Sequence, residues 1–334
     1  MNDGMVRILA DENLSWVASI YRWGINGIKG IQTIENPGLT EIIKGITAFG
    51  SEYFYIPVVL FVFWCVDEKK GLRLGLLMML SAWVNGTFKV LLKQPRPYAL
   101  DPSVGRAFEP SYGIPSGHAQ LSLTFWVPFA AWISRPLSRI GRIMVWIGAM
   151  LIILVIGFTR LYLGLHFPTD LLAGWFLGGI ILAIYRLFGN RIEGILRAGG
   201  IRLQMISVAL IALGMNALGA DRSFGGLVLG FGIGCNLMVH YFPFLAHARI
   251  NGKKPGPIML GTRYALGIAG AALIYLGLKG ILPGEGSWFG ALPFWGAASP
   301  YYELGRFARY GLLGLWGSAG APWLFLRLGL ANGN

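Results

Sequence analysis

Three polar stretches, far apart in the 334-residue chain, contain the residue types that bind and transfer a phosphoryl group. They run from Lys89 to Pro97, from Pro115 to His118 and from Thr159 to Asp170. Each lies at the edge of an apolar run, and together they contain two of the chain's four histidines. Ionisable residues near membrane depth are costly and are therefore candidates for function.

The first stretch could form a receptor for a dianion. Lys89, Lys93 and Arg96 are spaced i, i+4 and i+7, so they would share one face of a helix that continued through all three positions. Pro95 and Pro97 would then end that helix. The alternative is that these cations only extend from a membrane span towards the aqueous interface.

The second stretch has the features of a helix N-terminus that binds an anion. Pro115 and Ser116 suit the first turn and the cap of a helix that continues into the apolar run from Leu121. The free N–H groups of Ser116, Gly117 and His118 would point at the anion, and the histidine could donate a proton beside it. The alternative, a capped helix with an interfacial histidine, explains the proline and the serine but not the histidine.

The third stretch places a histidine and a carboxylate one helical turn apart. His166 and Asp170 are spaced i and i+4, and Pro168 suits the start of the helix that would carry the aspartate. An aspartate can hold an imidazole in one tautomer and stabilise its cation, which leaves the other ring nitrogen free to attack phosphorus. Arg160 adds a planar group for phosphate oxygens. A purely structural His–Asp pair is the alternative.

Together the three stretches supply a nucleophile with its orienting carboxylate, a proton donor, cations and helix amides. Phosphoryl transfer requires these parts, because its catalysis consists of positioning and of stabilising charge on the equatorial oxygens. The sequence contains no carboxylate cluster suited to Mg²⁺. We therefore expect metal-independent chemistry with no cofactor.

The three stretches resemble the signature of the type 2 phosphatidic acid phosphatase family. This family includes lipid phosphate phosphatases, undecaprenyl-diphosphate phosphatases, glucose-6-phosphatase and vanadium haloperoxidases. All three parts occur in order, and the resemblance covers about residues 40–190. The matching parts are Lys89-x6-Arg96-Pro97, Pro115-Ser116-Gly117-His118 and Arg160-x5-His166-x3-Asp170.

The resemblance implies a helical core with its site at the membrane surface, and a role for each matching residue. His166 would be the nucleophile that forms a phosphohistidine, Asp170 would orient it, and His118 would protonate the leaving alkoxide. Thr159, where many members have serine, and Lys93, which the family pattern does not require, are additional candidates. The phosphate would be held by Lys89, Arg96, Ser116, the Gly117 amide and Arg160.

The rest of the chain is suited to lipid. Hydrophobic residues make up 55% of the sequence and charged residues 13%, with a mean hydropathy of +0.59, whereas soluble domains are nearer a quarter charged. The apolar runs must be helices, because backbone groups in lipid have to be paired internally. The sequence predicts an all-α, polytopic membrane bundle of about nine transmembrane helices, near 46–66, 71–92, 116–134, 142–162, 168–188, 201–220, 223–244, 261–282 and 308–328.

We expect three segments along the chain. Residues 1–37 form an N-terminal interfacial amphipathic segment, in which aromatic and isoleucine side chains alternate with basic ones, and which lacks the pattern of a cleaved signal peptide. Residues 38–198 form the phosphatase-like catalytic membrane core. Residues 199–334 form a Gly-rich transmembrane extension, whose glycines spaced by three or four residues favour close helix packing.

The net charge of +13 indicates contact with anionic membrane lipids rather than with nucleic acid. The basic residues cluster in short loops between apolar runs, near 67–73, 134–143, 185–202 and 247–263. By the positive-inside rule these loops face the cytoplasm. The three motifs then all lie on the opposite, extracytoplasmic side of the membrane.

We therefore expect metal-independent hydrolysis of a lipid phosphate monoester or diphosphate through a phosphohistidine. The enzyme would be an integral protein of the cell (inner) membrane. Two alternatives stay open. The phosphoryl group could pass to another lipid or to a sugar hydroxyl instead of water, and residues 199–334 could form a transport or partner-binding module. The sequence leaves the lipid species and the oligomeric state open.

Overall fold

The described part of the chain is mainly helical. The computed structural model describes residues 15–219, 221–250, 252–284, 286–296 and 298–333, and these contain two isolated bridges but no β-strand. The predicted all-α fold is therefore confirmed. The α-helices are α1 Ser15–Ile31, α2 Pro37–Ala48, α3 Glu52–Phe61, α4 Glu68–Leu92, α5 Pro97–Leu100, α6 Gly117–Ile133, α7 Arg139–Tyr162, α8 Pro168–Ala198, α9 Gly200–Leu218, α10 Ser223–Tyr241, α11 Pro257–Ile281, α12 Tyr302–Leu315 and α13 Ala321–Arg327.

Among the described residues, six helices are long and apolar enough to cross a membrane, or seven spans if α2 and α3 count as one span bent by 42°. We expected about nine. Two of the predicted spans fall on shorter elements, because α6 has 17 residues and the last apolar run is divided between α12, the π-helical segment Trp316–Gly320 and α13. A polytopic membrane protein is confirmed, whereas the count of nine is not.

The chain divides into two compact units. The first comprises residues 1–55 and 80–185, and the second comprises residues 56–79 and 186–334. Helices α3, α4 and α8 each contribute residues to both units. The predicted segment boundaries after residues 37 and 198 stay a prediction.

In the first unit, buried polar side chains join α4 to α6. The Gln120 amide donates to the Ser81 carbonyl and hydroxyl at 2.8 and 3.1 Å, and it accepts from Asn85 Nδ2 at 2.9 Å. Asn85 Nδ2 also donates to the Pro115 carbonyl at 3.3 Å, and the Thr124 hydroxyl donates to Ser81 Oγ at 3.2 Å. Unpaired polar groups would be costly at this depth. These bonds therefore fix the start of α6 against α4.

In the second unit, glycines allow α10 and α12 to approach closely. A Cβ added at Gly230 would lie 1.7 Å from the carbonyl oxygen of Gly311, and one added at Gly226 would lie 2.2 Å from that of Phe307. No side chain fits at either position. The predicted packing face of regularly spaced glycines is therefore present between these two helices.

A fully buried arginine forms hydrogen bonds to three segments of the second unit. Arg263 Nε donates to the Leu330 carbonyl at 2.6 Å, and its Nη1 donates to the carbonyls of Ala246 at 2.7 Å and Trp64 at 3.3 Å. Main-chain oxygens thus satisfy most of a guanidinium that would otherwise be costly to bury.

Helix α1 falls in the N-terminal segment that is predicted to be amphipathic, and it is buried on one side. Ala18 and Ile28 are buried, whereas Trp16, Ile20 and Trp23 are exposed. The placement of this helix at a membrane interface stays a prediction. Residues 1–14 of the predicted segment lie outside the described residues.

Candidate active site

The predicted histidine–aspartate pair forms at the junction between α7 and α8. Helix α7 ends at Tyr162, α8 begins at Pro168, and the short connection places His166 over the first turn of α8. His166 Nδ1 lies 3.2 Å from Asp170 Oδ2, which also accepts a hydrogen bond of 2.9 Å from the Phe167 backbone N–H. Both side chains are buried. This arrangement favours the tautomer in which Nδ1 carries the proton and Nε2 keeps its lone pair.

Arg96 lies on the other side of the same imidazole. Its Nη1 is 3.3 Å from His166 Nε2 and donates to the Leu165 carbonyl at 3.0 Å. Its Nε and Nη2 donate to the Ser111 carbonyl and hydroxyl at 2.7 and 2.8 Å. The nitrogen that is predicted to attack phosphorus therefore faces one of the predicted phosphate ligands.

A carboxylate joins the two arginines that are predicted to bind phosphate. Glu109 Oε2 lies 2.7 Å from Arg96 Nη2, and its Oε1 forms an ion pair with Arg160 Nη2. Arg160 Nη1 donates to the Thr47 hydroxyl at 2.9 Å, while its Nε is buried and has no hydrogen-bond partner among the described residues. The three charged side chains form a continuous bridge, which we call the arginine–glutamate bridge.

The charges of the site shift the pKa values of two groups outside the spanning helices. Burial favours the neutral form of Glu109, but Arg160 and Arg96 outweigh it and lower the pKa of this carboxyl to about 2. Burial, and then the charges of Arg96 and Lys89, lower the pKa of His166 well below its ordinary value. His166 is therefore neutral near pH 7, and a neutral imidazole is the form that can act as a nucleophile.

The structure corrects the expected arrangement of the first stretch. Helix α4 ends at Leu92, and Lys93 has a φ of 48°. The helix does not continue far enough for Lys89, Lys93 and Arg96 to share one face, because the residues before the two prolines are already turned out of it. Lys89 Nζ donates to the Gly113 carbonyl at 3.3 Å, in the loop that leads to α6, whereas Lys93 is exposed.

The second stretch forms the N-terminus of α6, as predicted, but one of its amides is already engaged. The Ser116 hydroxyl caps the helix and accepts from the Ala119 N–H at 3.4 Å. The Ser116 N–H donates to the main-chain carbonyl of Asp170 at 2.9 Å. The expectation of a free amide at Ser116 was therefore wrong, and the same hydrogen bond joins the second stretch to the third.

His118 lies on the first turn of α6, close to the arginine–glutamate bridge. It lies within range of electrostatic interaction with Glu109 and with the cations of the site. Gly50, in the turn after α2, packs against the imidazole, since an added Cβ would lie 2.9 Å from His118 Cδ2. The structure thus brings His118 and His166 into one cluster with Lys89, Arg96 and Arg160.

Thr159, the additional candidate of the third stretch, is turned towards α2. Its hydroxyl donates to the Ile156 carbonyl at 2.6 Å and lies 3.0 Å from Thr47 Oγ1. Thr47 also accepts from Arg160. Thr159 is therefore linked to Arg160 through the Thr47 hydroxyl.

Two family models match the chain. Residues 70–193 match the PAP2 superfamily, and residues 223–333 match the transmembrane extension of PAP2 superfamily phosphatases. The chain belongs to the PAP2 superfamily. The first match contains every residue that we predicted to take part in catalysis or phosphate binding. The expectation of an integral membrane phosphatase is confirmed, while the roles of individual residues stay predictions.

This PAP2 chain is similar to phosphatidylglycerophosphatase B of Bacillus subtilis, with 29% identity over 171 residues, 49% of this chain and 82% of the relative. It is also similar to an undecaprenyl-diphosphatase of Sulfolobus acidocaldarius, with 27% identity over 43% of this chain and 67% of the relative. A crystal structure of a transmembrane PAP2 type phosphatidylglycerolphosphate phosphatase from Bacillus subtilis is 25% identical, with a TM-score of 0.46 over 56% of this chain and 92% of that chain.

Three residues that build this PAP2 site were not identified from the sequence, namely Glu109, Thr47 and Gly50. Glu109 had a weak signal, because it is an acidic residue in the loop between two cationic motifs. Thr47 and Gly50 had none. They lie near the end of α2, outside the family match and outside all three stretches.

Proposed function

We propose that this protein hydrolyses a lipid phosphate monoester or diphosphate through a phosphohistidine at His166, without a metal ion, at the outer surface of the cell membrane. The observation that carries the proposal is the position of His166 between Asp170 at Nδ1 and Arg96 at Nε2. A nucleophile held in one tautomer beside a guanidinium meets both needs of phosphoryl transfer, positioning and charge stabilisation.

The proposed reaction has two steps. In the first, His166 Nε2 gives up its contact with Arg96 and attacks phosphorus, the bond to the lipid oxygen breaks, and His118 donates a proton to that oxygen. In the second, water attacks the phosphohistidine and gives a proton to His118, and inorganic phosphate leaves. Asp170 stabilises the positive charge that forms on the imidazole. The phosphate oxygens would be held by Lys89, Arg96, Ser116, Gly117 and Arg160.

A lipid is the substrate class that suits this architecture. The first and third motifs lie at the ends of helices that are long and apolar enough to span a membrane, so an apolar tail can stay in the bilayer while the phosphate enters the polar cluster. The names of the relatives, a phosphatidylglycerophosphatase and an undecaprenyl-diphosphatase, support a phosphorylated lipid headgroup.

Phosphate release tests the proposal directly. Purified protein in detergent, with excess EDTA, should release inorganic phosphate from at least one of phosphatidic acid, phosphatidylglycerophosphate, an isoprenyl diphosphate or a sphingoid phosphate. His166→Ala should lower the rate by about a thousandfold or more. The control is His240→Ala, because His240 is an exposed histidine whose ring faces Gln204 in the second unit. An unchanged rate in His166→Ala, or no release in EDTA, would contradict the proposal.

Labelled phosphate tests the intermediate and the acceptor. With ³²P-labelled lipid, a rapid quench should trap label on the wild-type protein in an acid-labile, base-stable form, as expected for phosphohistidine. The label should then appear as inorganic phosphate even when candidate lipid and sugar acceptors are present. Label recovered on an acceptor would instead identify a phosphotransferase.

Cysteine labelling tests the side of the membrane. Phe108 is 74% exposed in the loop that contains Glu109. In intact cells, Phe108→Cys should react with a membrane-impermeant maleimide, and wild-type protein should not. Labelling that requires broken cells would place the site on the cytoplasmic side.

A further inference from the structure

Helix α1 lies upstream of the PAP2 match, which begins at residue 70, yet it contacts the connection that carries the nucleophile. We propose that α1 is a positioning element of the active site, and that it holds the His166–Asp170 pair through the side chain of Phe167. The inference rests on the proposed function, because it concerns the same catalytic pair.

Two residues on one face of α1 enclose the Phe167 ring. A Cβ added at Gly24 would lie 2.6 Å from Phe167 Cδ1 and 3.3 Å from Cε1, and real Cβ contacts are essentially never shorter than 3.0 Å. Tyr21 lies three residues earlier, so it shares this face of the helix. Its ring packs on the same phenylalanine with the centroids 5.0 Å apart. Because Phe167 is 2% exposed, its ring has little room to move away from α1.

Phe167 connects this packing to the catalytic pair through its backbone. Its N–H donates to Asp170 Oδ2 at 2.9 Å, and the same oxygen lies 3.2 Å from His166 Nδ1. A displaced ring would turn the backbone next to His166, so the anchor of the aspartate and the orientation of the imidazole would change together. Catalysis is sensitive to such movements, since a misplacement of about 1 Å can cost about a hundredfold in rate.

Hydrogen bonds at two further points tie α1 to the loops around the site. The Tyr21 hydroxyl donates to Gln94 Oε1, in the connection between α4 and α5. Immediately after α1, Gln32 Nε2 donates to the carbonyls of Val104 and Tyr162 at 2.8 and 2.7 Å. Tyr162 is the last residue of α7, directly before the connection that holds His166. Helix α1 is therefore held near its middle, at Tyr21, and directly after its C-terminus, at Gln32.

The chain offers a matched pair of glycines for the test. Gly24 and Gly27 both lie inside α1, but a Cβ added at Gly27 meets nothing within 4 Å. Alanine raises the helix propensity to the same extent at both positions. We expect Gly24→Ala to lower kcat by about tenfold or more with little change in KM, because the substrate-binding cations are untouched. Gly27→Ala should match the wild-type protein in both constants.

A second-site change tests whether Phe167 transmits the effect. Phe167→Leu shortens the side chain that an alanine at position 24 would strike, so it should restore most of the kcat that Gly24→Ala loses. Such non-additivity is expected only for residues in contact. A loss of kcat in the double variant equal to the product of the two single losses would overturn the role of Phe167. Thermal melting of each variant in detergent identifies any loss that comes from unfolding.

Imidazole NMR separates a failure of this inference from a failure of the proposed function. The chain has four histidines, so the ¹⁵N signals of His166 are assigned by comparison with His166→Ala. Gly24→Ala should shift the Nδ1 signal of His166 and Gly27→Ala should not, whether or not the protein hydrolyses any lipid. Wild-type protein that releases no phosphate would contradict only the proposed function. Unchanged kcat and an unchanged Nδ1 signal in Gly24→Ala would overturn the role of α1.

Discussion

Glu109 forms an ion pair with Arg160, a residue that the family signature assigns to the substrate phosphate. The second oxygen of the same carboxylate lies 2.7 Å from Arg96, another residue of that signature. A carboxylate and a phosphate offer similar oxygens to a guanidinium. Glu109 and the substrate would therefore compete for the same two arginines.

Replacing this competitor should tighten the binding of every phosphate-like anion. In Glu109→Gln we expect KM for the lipid and the inhibition constants of inorganic phosphate and orthovanadate to fall by one common factor, of about tenfold. Removal of a tethered competitor raises the binding-competent fraction equally for all ligands. Because the pKa of Glu109 is about 2, its carboxyl is ionised above about pH 4. The factor should therefore be constant between about pH 5 and 8.

The matched control for this variant is Glu35→Gln. Glu35 also pairs with an arginine, Arg106, in the first unit, but it does not contact the cations of the site. Glu35→Gln should therefore leave KM for the lipid and the inhibition constants of inorganic phosphate and orthovanadate unchanged. Weaker anion binding in Glu109→Gln would show instead that the carboxylate is needed to hold the arginines in place.

The packing of Gly50 against His118 predicts a second effect. In Gly50→Ala the new methyl group would lie 2.9 Å from His118 Cδ2 and 2.5 Å from Ile156 Cγ2, so both side chains must move away from it. We expect kcat to fall by about tenfold or more, because a displaced proton donor no longer reaches the leaving oxygen. Gly45→Ala is the control, since a Cβ there meets nothing within 4 Å. Equal kcat in the two variants would contradict the placement of His118.

The buried polar bonds between α4 and α6 predict a loss of stability. Gln120→Leu removes the hydrogen bonds that Gln120 forms with Ser81 and Asn85, at a cost of about 2–3 kcal/mol in the free energy of unfolding. Ser122→Ala, two residues later, removes a hydroxyl that donates within its own helix to Ala119, and it should cost less than about 1 kcal/mol. Unfolding in mixed detergent micelles measures both values. Similar losses in the two variants would show that the bonds between the helices add little.

Arg263 predicts a loss of stability in the second unit. Arg263→Met removes the donor of three carbonyls, two of them in buried hydrogen bonds, and should destabilise the protein by about 3 kcal/mol or more. Arg249→Met, at an exposed arginine, should change stability by less than about 0.5 kcal/mol. The melting temperatures of the two variants provide the comparison. If Arg263→Met melts at the same temperature as the wild type, the hydrogen bonds of this residue do not stabilise the second unit.

Local signals predicted the helix starts of the site correctly. Ser116 caps the start of α6, and Pro168 is the first residue of α8, as expected. These signals are local, because a cap or a proline acts on the residues directly beside it. The predicted span near 71–92 agrees with the end of α4 at Leu92, but the sequence does not show whether a helix continues beyond it towards Pro95 and Pro97. The count of nine spans stays unconfirmed, partly because apolar composition does not reveal the π-helical segments Val62–Val66 and Trp316–Gly320.

Contacts between distant residues were beyond prediction from one sequence. Glu109 and Arg160 are 51 positions apart, and Thr47 and Arg160 are 113 apart, so no local pattern connects them. The sequence around Gly24 likewise does not indicate that this glycine packs against the ring of Phe167. Motif residues could be found because their chemical types are unusual in lipid, whereas the residues that support them are ordinary in type.

The bond from the Ser116 N–H to the Asp170 carbonyl has a consequence for how headgroups are admitted. It joins the turn that begins α6 to the first turn of α8, so these two helix ends are held together. A bulkier headgroup cannot be accommodated by separating these two helix ends unless a buried main-chain hydrogen bond breaks. We therefore expect a change of headgroup preference to depend on the connection that carries Glu109 rather than on these two helix ends.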